Sequence, residues 1–274
     1  MMAVTRVRSR NATFQYWQTL LTNRTKRGRA RELVVQGVRP TDLALAAGTP
    51  IRSLLVADGG TRSRWAQEVA DRACAAGAAE YLLEPALLAE LGEQEDRTPE
   101  LLITVEIPPD DSRRIPIAPD LLAVALDRPA SPGNVGSIIR SADAFDAHGV
   151  LITGHGADPY DPRAVRASTG SVFTVPSVRL AGPADAMAWV TSVRDSGVPV
   201  QVVGTDETGT DSIDRIDLTR PTLIVTGTEK TGMAAGWREA CDVIAKIPIG
   251  GHASSLNAAN ATSIVLYEAA RQRG

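Results

Sequence analysis

The chain has 274 residues, 43% hydrophobic and 22% charged, with a formal net charge of −3. That is long enough for one large domain or two ordinary ones, and the composition excludes a globally disordered or collagen-like chain. Its two cysteines, Cys74 and Cys241, are far apart and form no CxxC pair, which argues against a disulfide framework or a zinc site. No apolar run reaches the roughly 18 residues of a membrane span and no signal-peptide core is present, so a soluble, cytoplasmic protein without a metal is expected.

In chain order, residues 11–22 carry Phe14, Trp17, Leu20 and Leu21 at helical spacing, with Asn11 as a cap. Residues 23–31 are basic and read as a loop. Between Arg6 and Arg39 lie eight arginines and Lys26 against one acid, Glu32. Such a block points to a polyanion contact or to a solvated terminal segment. A strand at 33–35, a helix ending near 47, a strand at 51–57, a helix at 63–76, a strand at 79–83, a short helix at 85–91 and a strand at 101–107 follow. This alternation describes a small α/β domain.

Residues 108–119 break the pattern with four prolines and read as a linker. Beyond it, strands are expected at 121–126, 149–153, 173–175, 199–205, 223–225 and 244–249. Helices are expected at 135–145, 162–169, 184–195 and 258–271, with a short one after residue 233. This is a larger α/β domain with a mostly parallel sheet. The domain limits are therefore 1–107, a linker at 108–119, and 120–274.

Two glycine-rich turns end neighbouring strands in this second half. One contains Gly227, Glu229 and Gly232; the other, Gly250 and Gly251, leads to Ser254, Ser255, Leu256 and the helix-capping Asn257. Such turns make a ligand crevice in an open α/β sheet. Asn134, Gly136 and Arg140 lie between a strand and a helix, where Asn134 can cap and Arg140 shares a face with Gly136. Taken alone this is also an ordinary capped helix. Residues 166–171 read as a helix end with Gly170 as its cap. The turn at 227–232 lacks the Lys-Ser/Thr of a phosphate loop, and GxGxxG follows no strand, which argues against nucleotide hydrolysis and against a dinucleotide site. His252 near Ser254 and Ser255 lacks a nucleophile elbow.

Taken together, NVGSIIR, RASTGSVFTVP, LIVTGTEKTGM and IPIGGHASSLNAANATSIVLYEAAR have the order and spacing of the signature motifs of the SpoU (TrmH-like) RNA ribose 2′-O-methyltransferases. The chain resembles that family over residues 121–274. In the last motif Pro248, Gly251, Ser255, Leu256 and Asn257 match, whereas Ala258, Ala259 and Asn260 depart from the usual residues. Residues 12–105, with LVVQGVRPTDLAL, resemble the L30e-like RNA-binding domain often fused to it, with Gln36 in place of the more usual Glu.

The resemblance implies a trefoil knot in the C-terminal domain and a homodimer whose two chains complete each active site. It implies S-adenosylmethionine as cofactor, held at Thr226, Gly227, Gly232, Ile247, Ile249, Gly251, Ser255 and Leu256. It makes Arg140 the essential catalytic residue, with Asn134, Glu229, Ser255 and Asn257 shaping the same pocket. Glu229 also suits a plain helix-capping role. The basic segment then acquires an RNA role through Arg24, Lys26, Arg27, Arg29, Arg31 and Arg39, joined by Arg166. Phe14, Tyr16 and Trp17 are either base-stacking or core residues. The separate N-terminal domain favours 23S rRNA over tRNA, and similar actinobacterial enzymes include resistance methyltransferases of the avilamycin and thiostrepton types. A non-catalytic RNA-binding or ribosome-assembly factor is the alternative from another class.

Overall fold

The computed structural model describes residues 4–92, 98–228 and 231–274. The chain divides into two units. The first runs to Pro108 and takes in Tyr160–Val165; the second comprises Pro109–Pro159 and Arg166–Gly274.

The first unit contains β1 (Thr5–Val7), α1 (Ala12–Thr22), α2 (Arg24–Ala30), β2 (Glu32–Val35), α3 (Val38–Ala46) and β3 (Ile51–Ala57). It continues with α4 (Arg64–Ala75), β4 (Ala79–Leu83), α5 (Pro85–Leu91) and β5 (Leu101–Glu106). Its sheet has the order β1-β4-β3-β5-β2, with β5 antiparallel to both neighbours. Helix α1 starts where Asn11 accepts a hydrogen bond from the Phe14 amide, and it buries Phe14, Trp17 and Leu20 in the core. The basic stretch read as a loop is in fact helix α2. Asn23 caps it by accepting from the Lys26 amide, and Arg31 ends it in the left-handed conformation.

In the second unit the elements are β6 (Leu122–Asp127), α6 (Pro132–Ala144), β7 (Gly149–Thr153), β8 (Ser177–Leu180), α8 (Pro183–Asp195), β9 (Gln201–Thr205) and β10 (Asp211–Ser212). They are followed by β11 (Thr222–Thr226), α9 (Ala235–Ala240), β12 (Val243–Lys246) and α10 (Ala258–Arg273); α7 (Pro162–Ser168), whose first four residues belong to the first unit, comes between β7 and β8 in the chain. The seven strands are all parallel, in the order β10-β12-β9-β11-β6-β7-β8. Sheets of this kind are covered on both faces, which is why β6, β7 and β11 are buried along their whole lengths. Ala125, Leu151, Val202 and Leu223 pack against Trp189, Val193 and Trp237 of α8 and α9. Elsewhere α10 packs on β11 and α6, and the Ser141 and Ser263 hydroxyls join the two helices at 2.7 Å.

The stretch 108–119 is not loose chain. Ile115 is buried, and the Asp110 carboxylate accepts from the backbone and side chain of Arg179 on β8 at 2.9–3.2 Å. The strand expected at 173–175 is instead a 3-10 turn, Ser171–Phe173, and the strand begins at Ser177. The backbone explains the shift. Thr169 and Gly170 both adopt left-handed conformations, φ 52° and 98°, so the chain is still turning where the apolar run begins.

Candidate functional site

Strands β9, β11 and β12 are adjacent and parallel, so their C-terminal ends open at one edge of the sheet. The strand order runs outward from β6 to β8 on one side before the chain returns to β9 on the other. Ligands of open α/β sheets bind where the order reverses in this way.

Strand β11 ends at Thr226, whose hydroxyl lies 2.9 Å from that of Thr262 on α10. At Gly227 the backbone leaves no room for a side chain: a Cβ there would lie 2.3 Å from the Gly232 carbonyl carbon and 2.4 Å from the Met233 nitrogen. The chain doubles back on itself, and Thr228 and Gly232 exchange N–H···O bonds of 3.0 and 3.1 Å. The Thr231 amide donates to the Thr228 hydroxyl at 3.0 Å, and Gly232 is left-handed at φ 62°.

Strand β9 delivers Asp206, whose side chain is only 7% exposed. Burial pushes this carboxyl up, but hydrogen bonds from the Thr208 hydroxyl and amide and from the Arg238 guanidinium outweigh it and hold the group below its ordinary value. Asp206 thereby ties the β9 loop to α9. The chain leaving β12 supplies Ile247 and Ile249, and Ser254, Ser255 and Leu256 complete the wall before α10 begins. These segments enclose a cavity of about 490 Å³.

At the start of α6, Ser131 is the cap, accepting from the Asn134 amide at 3.4 Å, and Pro132 opens the first turn. This corrects the assignment of the cap to Asn134: a proline in the first turn fixes the helix start three residues earlier. Asn134 is thereby released for another contact, and its side-chain oxygen accepts from the Asn257 amide nitrogen at 3.3 Å. Asn257 meanwhile caps α10, accepting from the Ala259 and Asn260 amides at 2.9 and 3.4 Å. One asparagine thus fastens the beginnings of two helices beside the wall of the cavity. Arg140 lies further along α6, exposed, and is not part of the cavity lining. Three residues on, Asp143 accepts from the hydroxyls of Ser171 and Thr174 at 2.7 and 3.0 Å, holding the loop after α7 against α6.

Comparison with known proteins gives this geometry its context. The model of the SpoU rRNA Methylase family matches residues 121–267, and that of the SpoU L30e-like domain matches residues 11–103. The chain belongs to the SpoU rRNA methylase family. A 23S rRNA (uridine(2479)-2′-O)-methyltransferase of Streptomyces viridochromogenes is 50% identical over 271 residues, spanning 99% of this chain and 93% of that relative. The crystal structure of the SpoU methyltransferase AviRb from the same organism, in complex with the cofactor AdoMet, matches with a TM-score of 0.91 at 50% identity, over 96% of this chain and 98% of that one. An AdoMet-bound rRNA methyltransferase from Sinorhizobium meliloti matches with a TM-score of 0.87 at 30% identity, over 98% of each chain.

Of the cofactor residues expected in this SpoU methylase, Thr226, Gly227, Gly232, Ile247, Ile249, Ser255 and Leu256 line the cavity, while Gly251 is exposed and outside the lining. Glu229 lies outside the described residues. Thr205, Asp206, Glu207, Thr208 and Arg238 also line the cavity and carried no motif signal. A turn-rich DETG directly after a strand was the one available hint. Among the described residues no group of His, Cys, Asp and Glu could hold a metal, and no helix is long and apolar enough to cross a membrane.

The expected RNA contacts divide. Arg24, Lys26, Arg29, Arg31, Arg39 and Arg166 are exposed. Arg31 also donates to the Ile107 carbonyl at 3.1 and 3.2 Å. Arg27 is the exception and corrects the assignment of a phosphate contact. It is 1% exposed, and its guanidinium donates to the Leu20 carbonyl at 2.7 Å and the Leu21 carbonyl at 3.4 Å, closing the last turn of α1. Phe14 and Trp17 are core residues, whereas Tyr16 is 41% exposed.

Proposed function

We propose that this SpoU methylase transfers a methyl group from S-adenosylmethionine to a ribose 2′-hydroxyl of 23S rRNA. Family membership supports methyl transfer to rRNA, and the relatives crystallised with AdoMet support the cofactor. The ribose oxygen and the 23S substrate follow the Streptomyces relative, with which nearly the whole chain aligns. The observation that carries the reading is the Asn134–Asn257 hydrogen bond. It fastens the start of the helix bearing Arg140 to the segment that walls the cavity.

The cavity fits the cofactor. Its volume lies within the usual range for such ligands, about 300–1,000 Å³. Ile247, Ile249 and Leu256 offer apolar surface to an adenine ring, and Gly227 keeps backbone close where any side chain would collide. When bound there, S-adenosylmethionine supplies a methyl group on a cationic sulfonium.

The ribose hydroxyl is a weak nucleophile, so the protein must aim it and accommodate the charge as its proton leaves. A guanidinium holds its own proton firmly, so Arg140 acts by stabilising the developing alkoxide or by binding an adjacent phosphate that accepts the proton. Asn134, fixed by Asn257, orients that arginine or the substrate. Ser255 borders the same cavity, and Glu229 is assigned to it on the motif.

The trefoil knot and the homodimer belong to this reading. Strand β12 lies beyond β9, and α10, which follows it, packs back on β11 and α6, a return that supports the knot implied by the motifs. Ile264 and Tyr267 on α10 are 39% and 57% exposed, with Phe145 packed edge-on to Tyr267 at 6.1 Å, an apolar face suited to a second copy.

The test is transfer of label from S-adenosylmethionine to rRNA and, separately, to tRNA, with the product mapped by its resistance to alkaline cleavage. Label at one alkali-resistant site in 23S rRNA is expected. Label confined to tRNA refutes the substrate, and label that leaves cleavage intact refutes the ribose oxygen.

A further inference from the structure

Helices α1 and α2 bound a second concavity, about 510 Å³, within the first unit. Its lining includes Gln15, Tyr16, Thr19, Lys26 and Arg29, and contains no acid. We infer that this groove seats one unpaired nucleotide of the RNA, with the base on the Tyr16 ring and its phosphates against Lys26 and Arg29. The inference rests on the reading of the substrate as RNA.

The two helices explain why these groups meet. On α1 the residues Phe14, Trp17 and Leu20 turn inward, Trp17 packing edge-on to Tyr81 at 4.9 Å, which leaves Tyr16 and Thr19 on the outer side. On α2, Lys26 and Arg29 are three residues apart and share a face. Arg27 points the other way and binds the end of α1, so it fixes the spacing between the helices. Among the described residues neither the Lys26 ammonium nor the Arg29 guanidinium forms an ion pair. The Tyr16 hydroxyl donates to Glu32, which holds the ring in place and directs that acid to the hydroxyl end.

An exposed aromatic ring beside two cations is the recurrent means of holding a single-stranded nucleotide: the π face takes any base and the cations take the backbone. A paired base cannot reach the ring without leaving its stack, so a duplex meets only the cations.

The experiment uses the full chain, with a fluorescein-labelled oligouridylate of about 12 nucleotides and an RNA duplex of equal length, in anisotropy titrations at several salt concentrations. Tyr16→Ala is expected to weaken oligouridylate binding about tenfold while leaving duplex binding unchanged. Tyr16→Phe is expected to bind as the unaltered protein does, which separates the ring from its bond to Glu32. Lys26→Gln with Arg29→Gln is expected to lower the slope of log affinity against log salt by about 1.4, the loss of two single-strand phosphate contacts. Arg64→Gln, at an arginine 93% exposed on α4, serves as the control and is expected to leave the slope in place.

Oligouridylate binding unaltered by Tyr16→Ala, a slope unaltered by the double variant, or no binding of the oligomer at all overturns the groove. Methyl transfer to rRNA by the unaltered protein is measured alongside. If it persists when the groove fails, the methyltransferase reading stands; if it is absent, that reading fails by its own assay.

Discussion

Gly227→Ala probes the cavity most sharply, because the obstruction is backbone and cannot rotate aside. The new methyl carbon would lie 2.3 Å from the Gly232 carbonyl carbon, where two carbons settle at about 3.5–4.0 Å. The 231–233 segment must therefore retreat by more than about 1 Å. That displacement pulls apart the reciprocal Thr228–Gly232 bonds of 3.0 and 3.1 Å. Two backbone bonds at about 1 kcal/mol each, with the lower end of the overpacking range, give a loss of about 3 kcal/mol. In a protein of this size that lowers the melting temperature by about 6–12 °C. S-adenosylmethionine affinity is expected to fall at least about tenfold, because the retreating segment is a wall of its site. Gly251→Ala is the matched control: no atom lies within 4 Å of the new methyl group, and the substitution is expected to change stability by less than about 0.5 kcal/mol. Calorimetric unfolding and titration calorimetry with the cofactor read both effects. A Gly227→Ala protein with unaltered melting and affinity refutes the assignment of this turn.

Other perturbations address the remaining parts. Asn257→Ala removes the α10 cap and the contact to Asn134, and is expected to cost about 1 kcal/mol in urea unfolding together with activity. Asn257→Asp keeps the cap but cannot donate to Asn134, so it is expected to hold its stability and lose turnover; full activity in it removes the bridge from the mechanism. Arg27→Ala leaves the end of α1 uncapped beneath a cavity, with an expected loss of about 3 kcal/mol, whereas Arg29→Ala is expected to be neutral in the same urea titration. Asp206 gives a pH signature. Its folded value lies below its ordinary one, so its stabilisation is complete above the unfolded value of about 4 and is lost as pH falls through the lower folded value. The stability difference from Asp206→Asn is therefore expected to be constant between about pH 5 and 8 and to shrink in more acid solution; a difference that instead grows below about pH 4 contradicts the assigned direction.

Most of the fold was legible because parallel strands buried on both faces read as continuous apolar runs, and because Asn11 and Asn257 stand where caps belong. Helix α2 was not legible: it has no apolar period, its one buried side chain being an arginine. The 173–175 run looked like a strand because periodicity cannot register two left-handed residues just before it. At the site, the motif residues around 227 and 247 fall together because each directly follows a strand, and those around 256 join them by leading into α10, which packs on β11. Asp206 and Arg238 join them only through the adjacency of β9, β11 and β12, a long-range pairing that no local pattern encodes. The Asn134–Asn257 bond, between residues 123 apart, is of the same kind.

The mechanism turns on Arg140, carried by the helix whose start the Asn134–Asn257 bond fastens to the segment walling the cavity, serving methyl transfer to a ribose oxygen. Its most direct test is single-turnover methylation of 23S rRNA by the unaltered protein and by Arg140→Ala, with S-adenosylmethionine binding measured on both. Equal cofactor binding is expected, with a transfer rate reduced at least about a hundredfold, the scale of losing one charge-stabilising donor. Equal cofactor binding with an unaltered rate contradicts it.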